Sequence, residues 1–400
     1  MQKKILVVTY GGGHARMLRP VIEILIEDPS VDVHVMALNT AAKELEDLDI
    51  TLFGYAKYFY DDPNVQKYGR ELMASLDKVI DEKETISYLG VNFCELVDTY
   101  GLEEANRMYK DGGRYIFEPD NAMYKVLKNE NPDILITTNS PRTEKSAVIA
   151  ARRLGIKSVS LIDMFGIRCS SWFADNDFSD KILVLSDSVK QYLVSLGRDA
   201  DSVVVTGNPS FDSLAQHYDD NKDTINNERK KMPFTVLWAS QPEPVFLPET
   251  GEYGDTQLPL NIEKEVLKVF AKHQDWKLIA RNHPSEVKRN YPEAVTYSNQ
   301  GDDLVELFKN IHVVLTPSST LGFQGAIMGA KLVTIDLSIL TPTMPYADMG
   351  FSVGLKSIED IEQALLELYK TKSDSGKPAY YETGAAQNVA RVIYSEMEVE

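Results

Sequence analysis

Short apolar, β-branched runs alternate with helical stretches from one end of this chain to the other, and that alternation restricts the fold more than any other feature. Residues 5–9, 31–38, 134–137, 158–162, 182–185 and 203–205 are such runs in the first half, and 234–240, 276–280, 313–315 and 332–335 repeat the pattern in the second. Brief strands separated by segments of helical period predict parallel strands joined by helices, a doubly wound α/β architecture. In sheets of that kind, ligands bind at the loops leaving the carboxyl ends of the strands. A length of 400 residues exceeds one ordinary domain and suits two α/β domains of roughly 200 residues each.

The expected division is a first domain over 1–212, carrying a helical, tyrosine-rich segment at about 60–129. A polar stretch at 213–232 reads as a linker, 233–378 as the second domain, and the amphipathic segment 379–400 as a helix crossing back onto the first. Forty-two basic against 60 acidic residues leave a formal charge of −18. That field disfavours nucleic acid and bulk attraction to anionic membranes, so any phosphate site must be built locally from helix ends and a few cations. Two cysteines, Cys94 and Cys169, imply no disulfide framework. With no signal-peptide core after Lys3 and Lys4 and no apolar run of membrane length, a cytoplasmic location is expected.

The first strand ends in Tyr10, Gly11, Gly12, Gly13 and His14, and Met17, Leu18, Val21, Ile22 and Leu25 then recur at helical spacing. Pro20 belongs in a first helical turn, so the helix is expected to begin near 16–19, with His14 on the preceding loop. The loop lacks GxGxxG spacing, and the chain has no GK[ST] phosphate loop. After residues 134–137 come Thr138, Asn139, Ser140 and Pro141, and the run 158–162 ends at Asp163. Tyrosines such as Tyr55, Tyr68, Tyr88, Tyr109 and Tyr115 suit stacking on sugars, although aromatics at helical spacing more often form core.

In the second half three loops follow strands: Ser240 and Gln241; Arg281 to Glu286; and Thr316, Ser318, Ser319 and Thr320. In one doubly wound sheet they share an edge. The hydroxyl cluster opens a small-residue helix whose free N–H groups and partial positive charge attract an anion, and His283, fixed by Pro284, adds a donor. Asp175 and Asp177 flank Asn176 in an acidic triplet, which is common in so acidic a chain, and no metal is expected. No GxSxG elbow supports a serine nucleophile.

These residues resemble the GT-B glycosyltransferases and the nucleotide-sugar 2-epimerases. The resemblance rests on GGGH after strand one, TGNP at 206–209, the HP step at 283–284, the SST-led helix and a closing return helix. It implies two Rossmann-like domains facing each other across a cleft, with a nucleotide-activated sugar as donor substrate and no further cofactor. Gly12, Gly13, Asn139, Ser140 and Arg168 would then line the acceptor side. His14 or Asp163 would be the general base, and Ser240, Gln241, Arg281, His283, Ser318, Ser319, Thr320 and Gln324 would bind the donor. Gln324 stands where the related peptidoglycan N-acetylglucosaminyltransferase has an acidic ribose ligand, and Lys331 where it has proline. The 2-epimerases carry His-x-Glu-Ala-Gly-Leu-Arg after a first-domain strand; residues 162–168 read IDMFGIR instead, which demotes epimerisation. The HP step and Ser/Thr cluster also resemble bacterial sialyltransferases and polyol-phosphate transferases with CMP- or CDP-linked donors. The implied function is an inverting, metal-independent glycosyltransferase acting on a hydroxyl of a surface glycan or lipid-linked precursor. The implied location is the cytoplasm, with peripheral contact at the inner face of the membrane. An epimerase or hydrolase of the same fold and a non-catalytic nucleotide-sugar-binding protein are the alternatives.

Overall fold

The computed structural model describes residues 2–76, 80–247, 250–371 and 383–398. The chain forms two compact units: Met1–Ser210 with Gly384–Glu400, and Phe211–Thr383.

The first unit is built on strands β1 (Lys3–Tyr10), β2 (Val31–Leu38), β3 (Thr51–Phe53), β4 (Ile134–Thr137), β5 (Lys157–Leu161), β6 (Lys181–Val184) and β7 (Val203–Val205). They pair in parallel in the order β3-β2-β1-β4-β5-β6-β7. Helices cover both faces, so central strands read as continuous apolar runs; Ile5, Leu6, Val7 and Val8 of β1 are all sealed from solvent.

The helix after β1 spans Gly12–Ile26, which places His14 in its first turn and Pro20 inside it. This departs from the expected start near 16–19. Gly11 makes the sharp turn that allows the early start, at a φ of 85° that side chains disfavour. Thr40 Oγ1 then takes the Gly12 N–H at 2.8 Å. Pro20 costs one backbone bond to the Arg16 carbonyl within an otherwise well-buried amphipathic helix.

The tyrosine-rich segment forms four helices, Pro63–Met73, Glu82–Tyr100, Leu102–Gly112 and Asp120–Glu130. Gly69 and Gly90 bring the first two into backbone contact, since a Cβ would sit 2.1 Å from the Ile86 carbonyl oxygen or 2.0 Å from that of Val65. Leu89, Phe93, Leu96, Ala105 and Phe117 form a satellite core, with Tyr68, Tyr88 and Tyr109 packed against it. Tyr68, Tyr88 and Tyr109 thus serve as core, while Tyr100 and Tyr115 face solvent. The closing helix Ala385–Glu398 sets Ala386, Val389 and Ile393 into the first unit's core; residues 379–382 of the expected return segment lie outside the described residues.

The second unit has strands β8 (Thr235–Ala239), β11 (Lys277–Arg281), β12 (Val295–Tyr297), β13 (Val313–Thr316), β14 (Lys331–Ile335) and β15 (Val353–Leu355), plus the hairpin β9 (Phe246–Leu247) and β10 (Glu252–Tyr253). Its six-stranded sheet is parallel, in the order β12-β11-β8-β13-β14-β15. The polar stretch read as a linker is the 20-residue helix Asp212–Lys231, and it belongs to this unit. Its polar surface masks a buried face of Leu214, Ala215, Tyr218, Ile225 and Arg229. The Arg229 guanidinium donates to the carbonyls of Phe308, Met328 and Lys309, which ties the helix to the loops beneath the sheet. Among the described residues, no helix is long and apolar enough to cross a membrane.

Candidate active site

In the first unit, β1 lies between β2 and β4, so the strand order reverses at the β1/β4 pair and opens a crevice at their carboxyl ends. Glu144, in the first turn of the helix Thr143–Leu154, fills it with a buried carboxylate. Its Oε1 accepts the Tyr10 N–H at 2.7 Å, and its Oε2 accepts the Thr138 N–H at 2.8 Å, the Ser140 N–H at 3.3 Å and the Thr138 hydroxyl. One carboxylate thus fastens the end of β1 to the loop after β4.

Because Thr138 Oγ1 donates to Glu144, it accepts from His14 Nδ1, at 2.7 Å. His14 lies between two carboxylates: Nδ1 is 3.6 Å from Glu144 Oε1, and Nε2 is 3.8 Å from Asp163 Oδ2. Burial pulls the imidazole pKa down, but the nearby carboxylates of Asp163 and Glu144 outweigh it, and His14 is pushed up to about 10. The ring is an imidazolium at neutral pH.

Asp163 follows β5. Asn139 Nδ2 donates to its Oδ1 at 3.0 Å while Asn139 Oδ1 accepts the Asp163 N–H at 3.2 Å, and the Met164 N–H reaches Asp163 Oδ1 at 2.8 Å. From the TGNP turn, Asn208 Nδ2 donates to the Asp163 carbonyl. Burial raises the Asp163 carboxyl, yet the nearby His14 charge and the bonds from Asn139 and the Met164 N–H hold it below the usual carboxylate range. Its side chain remains 43% exposed, whereas that of Glu144 is sealed. Of the two carboxylates beside His14, Asp163 is therefore the one open to solvent.

His14, Asp163, Asn139 and the Ser140 backbone thus converge, with Gly12 buried in the turn that positions them and Gly13 exposed beside it. Arg168 is exposed in the 3-10 turn Ile167–Cys169. Sequence reasoning missed Glu144, whose signal is an acidic residue in a helix's first turn just past a strand end, where the helix dipole favours it. It also missed Arg142. That residue caps the same helix at φ 67° and ψ −112°, a conformation that costs a non-glycine residue about 1–3 kcal/mol.

In the second unit, β11, β8 and β13 are adjacent, so the three loops expected to share an edge do so. Ser319 caps the helix Thr320–Ile327 by accepting the Leu321 N–H at 3.3 Å, and Thr316 Oγ1 takes the Ser319 N–H at 3.1 Å. Ser318 is buried, and its hydroxyl has no hydrogen-bond partner. Thr320 is exposed, and Gln324 and Gln241 are partly so. His283 Nδ1 accepts the Ser285 N–H at 3.2 Å, which leaves the proton of a neutral ring on Nε2.

Two predicted donor ligands are engaged within the protein. Arg281 is buried, with its terminal nitrogens on Ser298 Oγ and the carbonyls of Asn299 and Gln300, so it holds the loop after β12. Ser240 is buried too, its hydroxyl donating to Glu286 Oε1 at 3.1 Å and accepting from Arg289 at 3.3 Å. Arg289 in turn pairs with Glu263 at 2.6 Å and with Glu286. This network was not legible beforehand because its members lie on separate elements. Among the described residues, no group of three or more His, Cys, Asp or Glu side chains is placed to hold a metal ion.

No protein-family model matches the chain, and no curated protein matches it either. Solved structures do. Staphylococcus aureus MnaA in complex with UDP superimposes with a TM-score of 0.59 at 14% identity, covering 100% of this chain and 98% of that one. A Listeria monocytogenes protein described as a UDP-N-acetylglucosamine 2-epimerase gives 0.61 at 14% identity over 100% and 97% of the two chains. The Neisseria meningitidis UDP-GlcNAc 2-epimerase bound to UDP-GlcNAc gives 0.57 at 15%, over 98% and 100%.

The chain has a GT-B-type fold.

Identities this low establish the architecture and leave the chemistry to the site. At the two positions where the resemblance leads one to expect the epimerases' His and Glu, this GT-B chain has Ile162 and Met164, which are 2% and 6% exposed. Neither side chain can carry a proton, and both are buried.

Proposed function

We propose that this protein is an inverting, metal-independent glycosyltransferase that moves a sugar from a nucleotide-activated donor to a hydroxyl of a glycan or lipid-linked acceptor. The observation that carries the reading is the reachable Asp163 carboxylate beside the His14 imidazolium at the first unit's switch point. A ring already protonated at neutral pH has no lone pair to offer, so the base role goes to Asp163, and His14 holds the carboxylate in place. As the acceptor oxygen bonds to the anomeric carbon, its proton passes to Asp163 and the bond to the donor phosphate breaks. Within the second unit, the helix N-terminus at Ser319, the unpartnered Ser318 hydroxyl and His283 Nε2–H suit a phosphate of the donor. No further cofactor is needed, and uridine and cytidine donors both suit such a phosphate site.

One observation favours a second reading. An imidazolium and a carboxylate 3.8 Å apart form an acid and a base, which is what removing and returning a proton at a sugar carbon requires. This supports 2-epimerisation, while the apolar Ile162 and Met164 weigh against it. Incubation with a panel of UDP-, CMP- and CDP-sugars, with and without oligosaccharide acceptors, separates the readings. A transferase releases nucleotide only with acceptor. Sugar inversion or nucleotide release without acceptor would replace the transferase reading, and a binding protein would release nothing.

A further inference from the structure

The chain carries 60 acidic side chains against 42 basic ones, so a guanidinium without a carboxylate partner is a local positive charge in an acidic protein. In the first unit, Arg19, Arg70, Arg107 and Arg152 each pair with Asp or Glu. Arg142 and Arg114 do not: neither forms an ion pair among the described residues, and Arg142 Nη1 donates to the backbone carbonyl of Arg114 at 3.4 Å.

Tyrosines surround them. The Arg142 guanidinium carbon lies 5.2 Å from the centre of the Tyr10 ring and 5.9 Å from that of Tyr115, and the rings of Tyr10 and Tyr88 are 6.1 Å apart. Tyr115 is 88% exposed, and the buried Tyr88 hydroxyl has no hydrogen-bond partner. Burial pushes the Tyr88 phenol up to about 12, against the opposing fields of Arg142 and Arg114. The patch adjoins the proposed active site through the chain itself. Tyr10 bonds Glu144 through its N–H, and Arg142 precedes Glu144 by two residues.

We infer that Arg142 and Arg114, with Tyr10 and Tyr115, form a subsite for the anionic group of a saccharide, a phosphate or carboxylate carried on the sugar that approaches Asp163. Two guanidiniums bind such a group through charge-assisted hydrogen bonds, and an exposed tyrosine face receives the ring. Taking this sugar to be the acceptor rests on the transferase reading; the binding site itself does not.

Binding is tested on the full chain without any donor, by titration calorimetry with three probes: glucuronate, glucose 1-phosphate and glucose. Both anionic sugars are expected to bind, and glucose at least roughly 10-fold more weakly, the lower end of what a hydrogen bond to a charged group contributes. Arg114→Gln, at an exposed position, and Arg142→Gly should each weaken both anions by about that factor. Glycine tolerates the backbone conformation of residue 142, so Arg142→Gly should melt no lower than the parent, which separates lost binding from lost folding. Ser318→Ala is expected to leave glucuronate affinity unchanged. Equal binding of glucose, anion binding that survives both arginine substitutions, or no binding of either anion would overturn the inference. So would a glucose 1-phosphate signal that disappears in Ser318→Ala but persists in Arg142→Gly. UDP affinity, measured in parallel, reports on the transferase reading: its absence would sink that reading without touching the comparison of sugars.

Discussion

Glu144→Gln keeps the shape of a buried side chain and removes one of the two carboxylates that hold His14 charged. His14 is raised from 6.5 to about 10 because the carboxylates of Asp163 and Glu144 beside it outweigh the desolvation that opposes them. A group raised in this way contributes stability that is fully present below pH 6.5 and is lost as pH climbs through about 10. Within that window the parent protein should lose about 1.4 kcal/mol of folding free energy per pH unit from this residue. In Glu144→Gln, Asp163 still supports the imidazolium, so His14 should titrate lower than in the parent yet above its ordinary value. The substitution has a second, pH-independent cost. Glu144 accepts from Tyr10 N, Thr138 N, Ser140 N and the Thr138 hydroxyl, and an amide nitrogen in place of either oxygen confronts a donor with a donor. One buried donor left unsatisfied costs about 1–3 kcal/mol. The destabilisation should therefore be largest near pH 6 and shrink toward the pH-independent part near pH 10. Urea unfolding of both proteins across this range measures it, and NMR of the six histidines, with the His14 resonance identified by its loss in His14→Gln, measures the titration directly. A His14 titrating near 6.5 in the parent, or a destabilisation that does not vary with pH, would refute the electrostatic account.

Asp163→Asn should lower transfer roughly 100-fold or more with nucleotide affinity within a few fold, because losing a general base acts on the barrier rather than on donor binding; unchanged turnover would move the base elsewhere. His283→Ala should weaken nucleoside diphosphate roughly 10- to 150-fold, the range for a hydrogen bond to a charged group, and leave the uncharged nucleoside nearly unaffected. Calorimetry showing equal losses for the two ligands would instead assign His283 to the pocket's shape. Gly90→Ala should lower the melting temperature by several degrees, since its Cβ would meet the Val65 carbonyl oxygen at 2.0 Å and force two helices apart; a melting point at or above the parent's would mean the helix pair accommodates the methyl group.

The alternation of apolar runs and helical segments determined by itself that the chain forms parallel α/β sheets, because strand and helix periods are local properties of the residues. It also placed Asn139 and Asp163 just past strand ends, where a parallel sheet presents its loops, and offered Ser318, Ser319 and Thr320 as caps of the helix that Ser319 caps. Helix limits and charge states were not local properties. The helix beginning at Gly12 depends on Thr40 from the loop after β2, and the buried face of 212–231 shows itself only against Phe308 and Met328. Glu144 is one acidic residue among 60 in the sequence. It becomes the centre of the site because β1 and β4, more than a hundred residues apart, bring their N–H groups to the same carboxylate. The imidazolium at His14, the engagement of Arg281 and Ser240 within the second unit, and the pairing of Arg142 with Arg114 were likewise decided by tertiary structure. Coulombic and hydrogen-bonding interactions act over a few ångströms of space, and folding alone sets which distant residues come within that reach.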